Sequence, residues 1–269
     1  MSMIQKYFIE NNDIKTSEEF TEENKGTVIY EVLRITDGKP LFLEAHLERM
    51  DNSFKIINRE NPFKGSDIKK AIGKLTEINS VTEGNVKITV EITGKTNILR
   101  VYFIPHSYPT EEQYKNGVKT ILYFGERKNP NAKIVNNDFR NAVNEKIREA
   151  EAYEAILVDR DGNITEGSKS NIFLVKGNTV ITSPLEAVLP GVTRGEIIEL
   201  CKENGINFRE EKVNFKELND MDGLFISGTS PKILPISQVD QMKYDSSNNT
   251  LIKELMKHYQ EKTDNYIKK

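Results

Sequence analysis

DGNITEGSKSNIF, residues 161–173, opens on a turn signal and closes on a strand. Asp161-Gly162 is a hairpin dipeptide, and Ser170-Asn171-Ile172-Phe173 restarts a β-favouring run. Between them an acid and two hydroxyls, Glu166, Ser168 and Ser170, crowd at the bend. Taken alone, such a run reads as a solvated loop. Its surroundings bear on that reading.

Outward from this stretch, strands are expected at Tyr153–Val158, Ser170–Lys176 and Thr179–Thr182, after a strand at Val118–Phe124 and a helix from about Phe139 to Ala152. An amphipathic helix follows Thr193-Arg194 and ends at Gly205. Strands near Phe208–Val213, Gly223–Ser227 and Ile233–Val239 precede a last helix over Leu251–Gln260. Upstream, Thr27–Thr36 reads as a strand, Asp37–Pro40 as a turn, and Leu41–Glu44 as the returning strand. Leu47, Met50, Phe54 and Ile57 then recur at helical spacing, and Ser66 is the expected N-cap of a second helix reaching Ile78. Val86–Thr93 and Ile98–Ile104 form a hairpin. The polar, aperiodic stretch HSYPTEEQYKNG, 106–117, divides the chain. The resulting organisation is α/β (α+β): a small domain at 1–108, a linker at 109–117 and a larger domain at 118–269.

With 269 residues, 37% of them apolar and 29% charged, the chain is long enough for two packed halves. A net charge of −3, from 38 basic and 41 acidic side chains, gives no global field for nucleic acid or an anionic membrane. Cys201 is the only cysteine, so no internal disulfide forms, and it reads as core filler. The opening MSMIQKYFIENND has no signal-peptide core, and no run of about 18 apolar residues occurs, so a cytoplasmic protein is expected.

Several chemistries drop out. His46, His106 and His258 with one cysteine give no zinc spacing. Thr93-Gly94-Lys95-Thr96 mimics the end of a phosphate-binding P-loop, but Thr89 stands where the first glycine belongs and a strand follows, so it reads as a hairpin tip. No G-x-S-x-G elbow is present. Glu210 and Glu211 alternate sides of a strand and cannot act on one bond together.

Other stretches accumulate in the second half. Leu189-Pro190-Gly191-Val192-Thr193-Arg194 leads into a helix start, where free amides and the macrodipole favour an anion, although Thr193 also reads as a routine N-cap. Gly228-Thr229-Ser230-Pro231 places hydroxyls and amides past a strand end.

In order and spacing, YEAIL (153–157), ITEGSKSNIF (164–173), LPGVTR (189–194) and FISGTSPKILPI (225–236), with IYEVLRITDGKPLFLEAHLERM (29–50), resemble the class IV, fold-type IV, pyridoxal-phosphate aminotransferases. That family includes branched-chain and D-amino-acid aminotransferases and aminodeoxychorismate lyase. The resemblance spans about residues 27–240. It implies a two-domain fold like that of D-amino-acid aminotransferase, pyridoxal 5'-phosphate as cofactor, and a homodimer acting on an amino acid and a 2-oxo acid. No metal, membrane or nucleic-acid partner is implied.

By the same resemblance, Lys133 is the amine that bonds to the cofactor aldehyde and then serves as base and acid for the α proton. Lys146 is an alternative without motif support. Glu166 matches the carboxylate that keeps the pyridine nitrogen protonated. Arg49, Val192, Thr193 and Thr229 match the phosphate contacts, Leu189 the apolar residue on one ring face, and Tyr30 a residue on the substrate side.

Three departures bear on substrate. The loop that carries an arginine and a histidine in D-amino-acid aminotransferases is reduced here to Thr93–Asn97. Asn136-Asn137-Asp138 replaces a phenol carried by many branched-chain enzymes, and Glu22–Gly26 replaces a glycine-rich run. The first departure lowers the D-amino-acid reading, so a branched-chain-like substrate is favoured over a D-amino acid, while together the three leave the substrate pocket unassigned. A lyase of the aminodeoxychorismate type and a binding module that has lost its chemistry are the rival readings.

Overall fold

The computed structural model describes residues 5–21, 26–94, 96–127 and 129–268. Glu22–Lys25 of the replaced glycine-rich run, and Lys95 of the hairpin tip, lie outside the described residues. The chain divides into two compact units: Met1–Ser107 with Ala132–Val135 and Thr263–Lys269, and Tyr108–Asn131 with Asn136–Lys262.

The first unit is built on six antiparallel strands, β1 (Tyr7–Glu10), β2 (Asp13–Thr16), β3 (Thr27–Thr36), β4 (Lys39–Pro40), β5 (Gly84–Ile92) and β6 (Asn97–Ile104), in the order β2-β1-β6-β5-β3-β4. Period-2 alternation sends Ile29, Leu33 and Ile35 of β3, Val86, Ile88 and Val90 of β5, and Leu99, Val101 and Phe103 of β6 into one core. Helices α1 (Leu43–Ile56) and α2 (Gly65–Asn79) close it with Met50, Phe54, Ile68, Ile72 and Leu75. The expected returning strand at Leu41–Glu44 is not formed. The strand ends at Pro40, and Phe42 takes a left-handed backbone (φ 52°) that turns the chain directly into α1. Ser66 is not the cap of α2 either, because Lys64 holds the last extended conformation before Gly65 starts the helix.

The second unit carries a nine-stranded mixed sheet. Its strands are β7 (Val118–Phe124), β8 (Glu154–Val158), β9 (Ile164–Gly167), β10 (Asn171–Lys176), β11 (Thr179–Thr182), β12 (Asn207–Glu210), β13 (Gly223–Gly228), β14 (Lys232–Val239) and β15 (Met242–Lys243). The order is β12-β11-β10-β13-β14-β7-β8-β9, with β15 on β14. Parallel pairs (β11–β12, β14–β7, β7–β8) need crossovers, supplied by α4 (Asn137–Glu149) between β7 and β8 and α5 (Val192–Glu203) between β11 and β12. Residues 109–117, expected as a linker, hold a third helix, α3 (Glu111–Asn116), which Thr110 and Gln113 close with a capping box. The last helix, α6, runs over Thr250–Lys268. Its Tyr266 hydroxyl accepts the Leu43 amide of α1 (3.1 Å) and donates to Glu44 (2.6 Å), so a distant tyrosine satisfies an N–H that α1's own cap leaves open.

The opening stretch is folded rather than solvated. Ile164–Gly167 is strand β9, and Glu166 within it is only 3% exposed. The bend itself is Ser168-Lys169-Ser170, and its hydroxyls serve a different acid, the buried Glu154 of β8. Glu154 Oε1 accepts from Ser168 Oγ (2.5 Å) and the Ala155 amide (2.9 Å), while Oε2 accepts from Ser170 Oγ (3.1 Å) and the Lys169 amide (3.2 Å). Four donors satisfy this carboxylate, and the three from Ser168, Lys169 and Ser170 fasten the β9–β10 bend to β8, because a buried acid left short of partners is costly. Ser168→Ala is expected to lower the unfolding free energy by about 1.5–3 kcal/mol in urea titration, as befits a hydrogen bond to a charged group. A solvated loop serine would change it by less than about 0.5 kcal/mol.

Candidate active site

In the first unit, α1 sets polar side chains at helical spacing among apolar ones. His46, Arg49 and Ser53 share a buried face with Leu43, Met50 and Phe54. Glu31 of β3 has no exposed surface and meets them: Arg49 Nε donates to its Oε1 (2.8 Å), Arg49 NH2 to its Oε2 (2.5 Å), and His46 Nδ1 lies 2.8 Å from that same oxygen. Burial pushes the Glu31 carboxyl up, but the charge and hydrogen bonds of Arg49, aided by His46, outweigh it and hold the group at about 2. His46 is pushed below its ordinary value, first by burial and then by the charges of Arg49 and Lys133, against the pull of Glu31.

Ser53 connects this cluster to Lys133. Its hydroxyl donates to the Arg49 carbonyl (3.0 Å) and accepts the Lys133 amide (3.1 Å). Residues 132–135 lie along the outer edge of β3, where the Tyr30 amide donates to the Lys133 carbonyl (3.1 Å) and the Val135 amide to the Val28 carbonyl (3.1 Å). The Lys133 ammonium stands 4.9 Å from the centre of the Tyr30 ring. Tyr30, Arg49 and Lys133 are thus brought together within one unit. Lys146, the alternative amine, sits on the exposed side of α4 in a 2.7 Å contact with Glu149.

In the second unit, Glu166 Oε1 accepts from Arg127 (3.1 Å) and Oε2 from the Leu189 amide (2.9 Å). Asn171 of β10 donates to the Leu189 carbonyl (2.9 Å), fixing the loop that delivers α5. A Cβ on Gly191 would meet Asn171 Oδ1 at 1.9 Å, so this glycine is required by its protein neighbour. Gly191 is the N-cap of α5, without a side-chain cap and with no acid in the first turn, so Val192 and Thr193 are the first helical residues. Thr193 is therefore not the N-cap. Thr229 lies in the turn between β13 and β14. Beside it, Ser227 carries a buried hydroxyl without a hydrogen-bond partner among the described residues, on the sheet face it shares with Asn171 by register.

Each unit by itself carries groups that fit pyridoxal phosphate. In the second, an uncapped helix start free of acid suits a phosphate, an unsatisfied buried hydroxyl marks a polar position awaiting a partner, and a buried carboxylate suits a protonated ring nitrogen; in the first, an amine held beside an aromatic ring suits an aldehyde. Among the described residues no group of three His, Cys, Asp or Glu side chains could hold a metal, and no helix is long and apolar enough to cross a membrane. Cys201 is buried, its thiol pushed up to about 11 by burial.

Sequence reasoning left out Glu31, His46, Ser53, Arg127 and Asn171. The spacing of His46, Arg49 and Ser53 on the apolar face of a helix was the available signal for the first group; Arg127 and Asn171 gave none.

The depressed Glu31 carboxyl stabilises the fold above its ordinary value of 4.5, and that contribution is lost as pH falls toward about 2. Glu31→Gln is expected to cost about 3 kcal/mol at neutral pH, since it leaves Arg49 buried without its counter-charge. In urea titrations the variant should also lose stability less steeply than the parent between those two pH values.

The amino-transferase class IV family model matches residues 28–239. D-alanine aminotransferase of Bacillus licheniformis is 32% identical over 227 residues, 80% of each chain. Aminodeoxychorismate lyase of Bacillus subtilis is 24% identical over 259 residues, 90% of this chain and 87% of its own. The structure of Escherichia coli branched-chain amino acid aminotransferase superposes with a TM-score of 0.87 at 23% identity, covering 97% of this chain and 95% of the other, so the fold is that of fold type IV. With the family matched over most of its length, this chain belongs to the class IV aminotransferases and is a pyridoxal-phosphate-dependent transaminase.

Proposed function

We propose that the enzyme moves an amino group between a branched-chain-like amino acid and a 2-oxo acid, with Lys133 as its catalytic amine. The observation that carries the substrate preference is the short turn between β5 and β6. There the Thr93 amide and hydroxyl both donate to the Thr96 carbonyl (3.0 and 2.8 Å), and residues 93–96 include neither arginine nor histidine. A carboxylate trap of the D-amino-acid kind has no place on so short a connection.

Pyridoxal phosphate supplies the electron sink for the bond broken at the substrate's α carbon. Its phosphate would be held by Arg49, the Val192 and Thr193 amides and Thr229, a reading that a planar guanidinium and a helix start support. Glu166 holds the proton on the ring nitrogen, supported by Arg127 and the Leu189 amide that fix its two oxygens. Leu189 covers one ring face. Lys133 would be the group that takes up and holds the substrate's α proton, and Tyr30 would steady that amine from the substrate side. A homodimer in the cytoplasm belongs to the same reading.

The test is a panel of L- and D-amino acids against 2-oxoglutarate and pyruvate. L-branched-chain amino acids are expected to react fastest. Preference for D-alanine would overturn the assigned substrate, and pyruvate released from a chorismate derivative without amino exchange would favour the lyase. Lys133→Ala should abolish turnover by at least about 10³-fold while phosphate-site residues still retain the cofactor; undiminished turnover would remove Lys133 from the mechanism.

A further inference from the structure

Between β11 and α5 the chain makes one turn of 3₁₀-helix at Leu185–Ala187 and then runs irregularly to Gly191. Carbonyls and amides in such a stretch need partners from elsewhere in the protein. Leu189 finds them in Glu166 and Asn171. Ahead of it, the carbonyls of Leu185 and Val188 are both served by one side chain from another segment: Asn131 Nδ2 donates to Leu185 (2.6 Å) and to Val188 (2.8 Å). An amide nitrogen carries two hydrogens, and both are committed here. Two bonds from one nitrogen fix the direction of the side chain as well as its distance.

Asn131 is the last residue of the second unit before the chain enters the first at Ala132. Lys133 follows at once, and its own peptide groups are fixed. Its amide donates to Ser53 Oγ and its carbonyl accepts from the Tyr30 amide. The Ile134 amide donates back to the Ala132 carbonyl (3.1 Å), which closes a three-residue turn with Lys133 at its apex. Ala132, between the two anchors, is only 1% exposed. Two residues of chain span no more than about 7 Å, so the grip on Asn131 limits where the Lys133 backbone can lie.

A reacting amine needs such control. Lysine carries its ammonium on a flexible four-carbon stem, and a reacting group displaced by about 1 Å loses on the order of a hundredfold in rate. The proposed function gives the ring face to Leu189 and the phosphate in part to the Val192 and Thr193 amides, which follow directly on the loop that Asn131 grips. We propose that Asn131 is a positioning residue: by tying the strip that bears Lys133 to that loop, it sets the lysine amine at bonding distance from the cofactor aldehyde. This rests on the reading of Lys133 as the catalytic amine. A shift of the loop away from Asn131 would move ring and phosphate relative to the lysine while leaving each of their own contacts in place.

The test titrates pyridoxal phosphate and pyridoxamine phosphate by equilibrium dialysis into the full chain stripped of cofactor. Both offer the same phosphate and ring nitrogen, but only the first has an aldehyde that Lys133 can bond. In Asn131→Ala the dissociation constant for pyridoxal phosphate is expected to rise about tenfold or more, and that for pyridoxamine phosphate by less than about twofold. Equal losses for the two would make Asn131 a brace of the loop alone and overturn the proposal, as would no loss for either; both outcomes leave Lys133 in its role. If Asn131→Ala shows no cooperative thermal transition, the comparison is made in Asn131→Ser, which keeps one hydroxyl donor, and the same outcomes decide. Lys133→Ala is the control for the reading beneath: it should abolish the parent's preference for pyridoxal phosphate, and a preference left intact would remove Lys133, and with it the task assigned to Asn131.

Discussion

A carboxylate taken out of water must receive its hydrogen bonds from the protein, and three such groups organise this molecule. Glu31 ties β3 to α1 through Arg49 and His46. Glu154 ties the β9–β10 bend to β8 through two serines and the Lys169 amide. Glu166 ties β9 to the loop before α5 through the Leu189 amide, and to Arg127. Each acid joins segments that are far apart in sequence, and each lies in or beside a segment that carries reactive groups. Apolar packing would seal the cores without them, but it would not fix which atoms of Arg49, Ser168 or Leu189 face which way.

The regular elements were legible because their periods are strong. β7 and β11 fall at the residues expected, and β5, β6, β10, β13 and α5 within a few residues. Misreadings came where a local conformation overrode a pattern. Leu41–Glu44 alternates like a strand, but the left-handed Phe42 starts a helix instead. HSYPTEEQYKNG lacks an apolar period because it holds α3, a single short capped helix with no buried residue, just past the division between the units at Ser107 and Tyr108. β9 was missed because a four-residue strand with an acid and a glycine looks like a turn, and its burial is imposed by neighbours.

The proposed site residues divide in the same way. Motif order and spacing single out Lys133, Glu166 and the α5 loop, whereas Glu31, Arg127 and Asn171 show themselves only through partners elsewhere in the sequence. Asn171 shows the difference well. It looked like part of a restarting strand, yet it determines that position 191 be glycine and holds Leu189 where its amide reaches Glu166. What closes on Gly191 is an amide side chain of the protein.

The first unit is assembled from three separate stretches of chain, with residues 132–135 laid on the edge of β3 and the end of α6 supplying Tyr266 to the start of α1. On a ribosome the N-terminal sheet therefore emerges with its β3 edge unpaired at Val28 and Tyr30, and keeps it so until more than a hundred further residues have been made. Its contact order is correspondingly high, and slow maturation is the kinetic consequence. Lys133 arrives within the strip that closes that edge, so the segment bearing the amine proposed for catalysis also protects the young sheet from pairing with another chain.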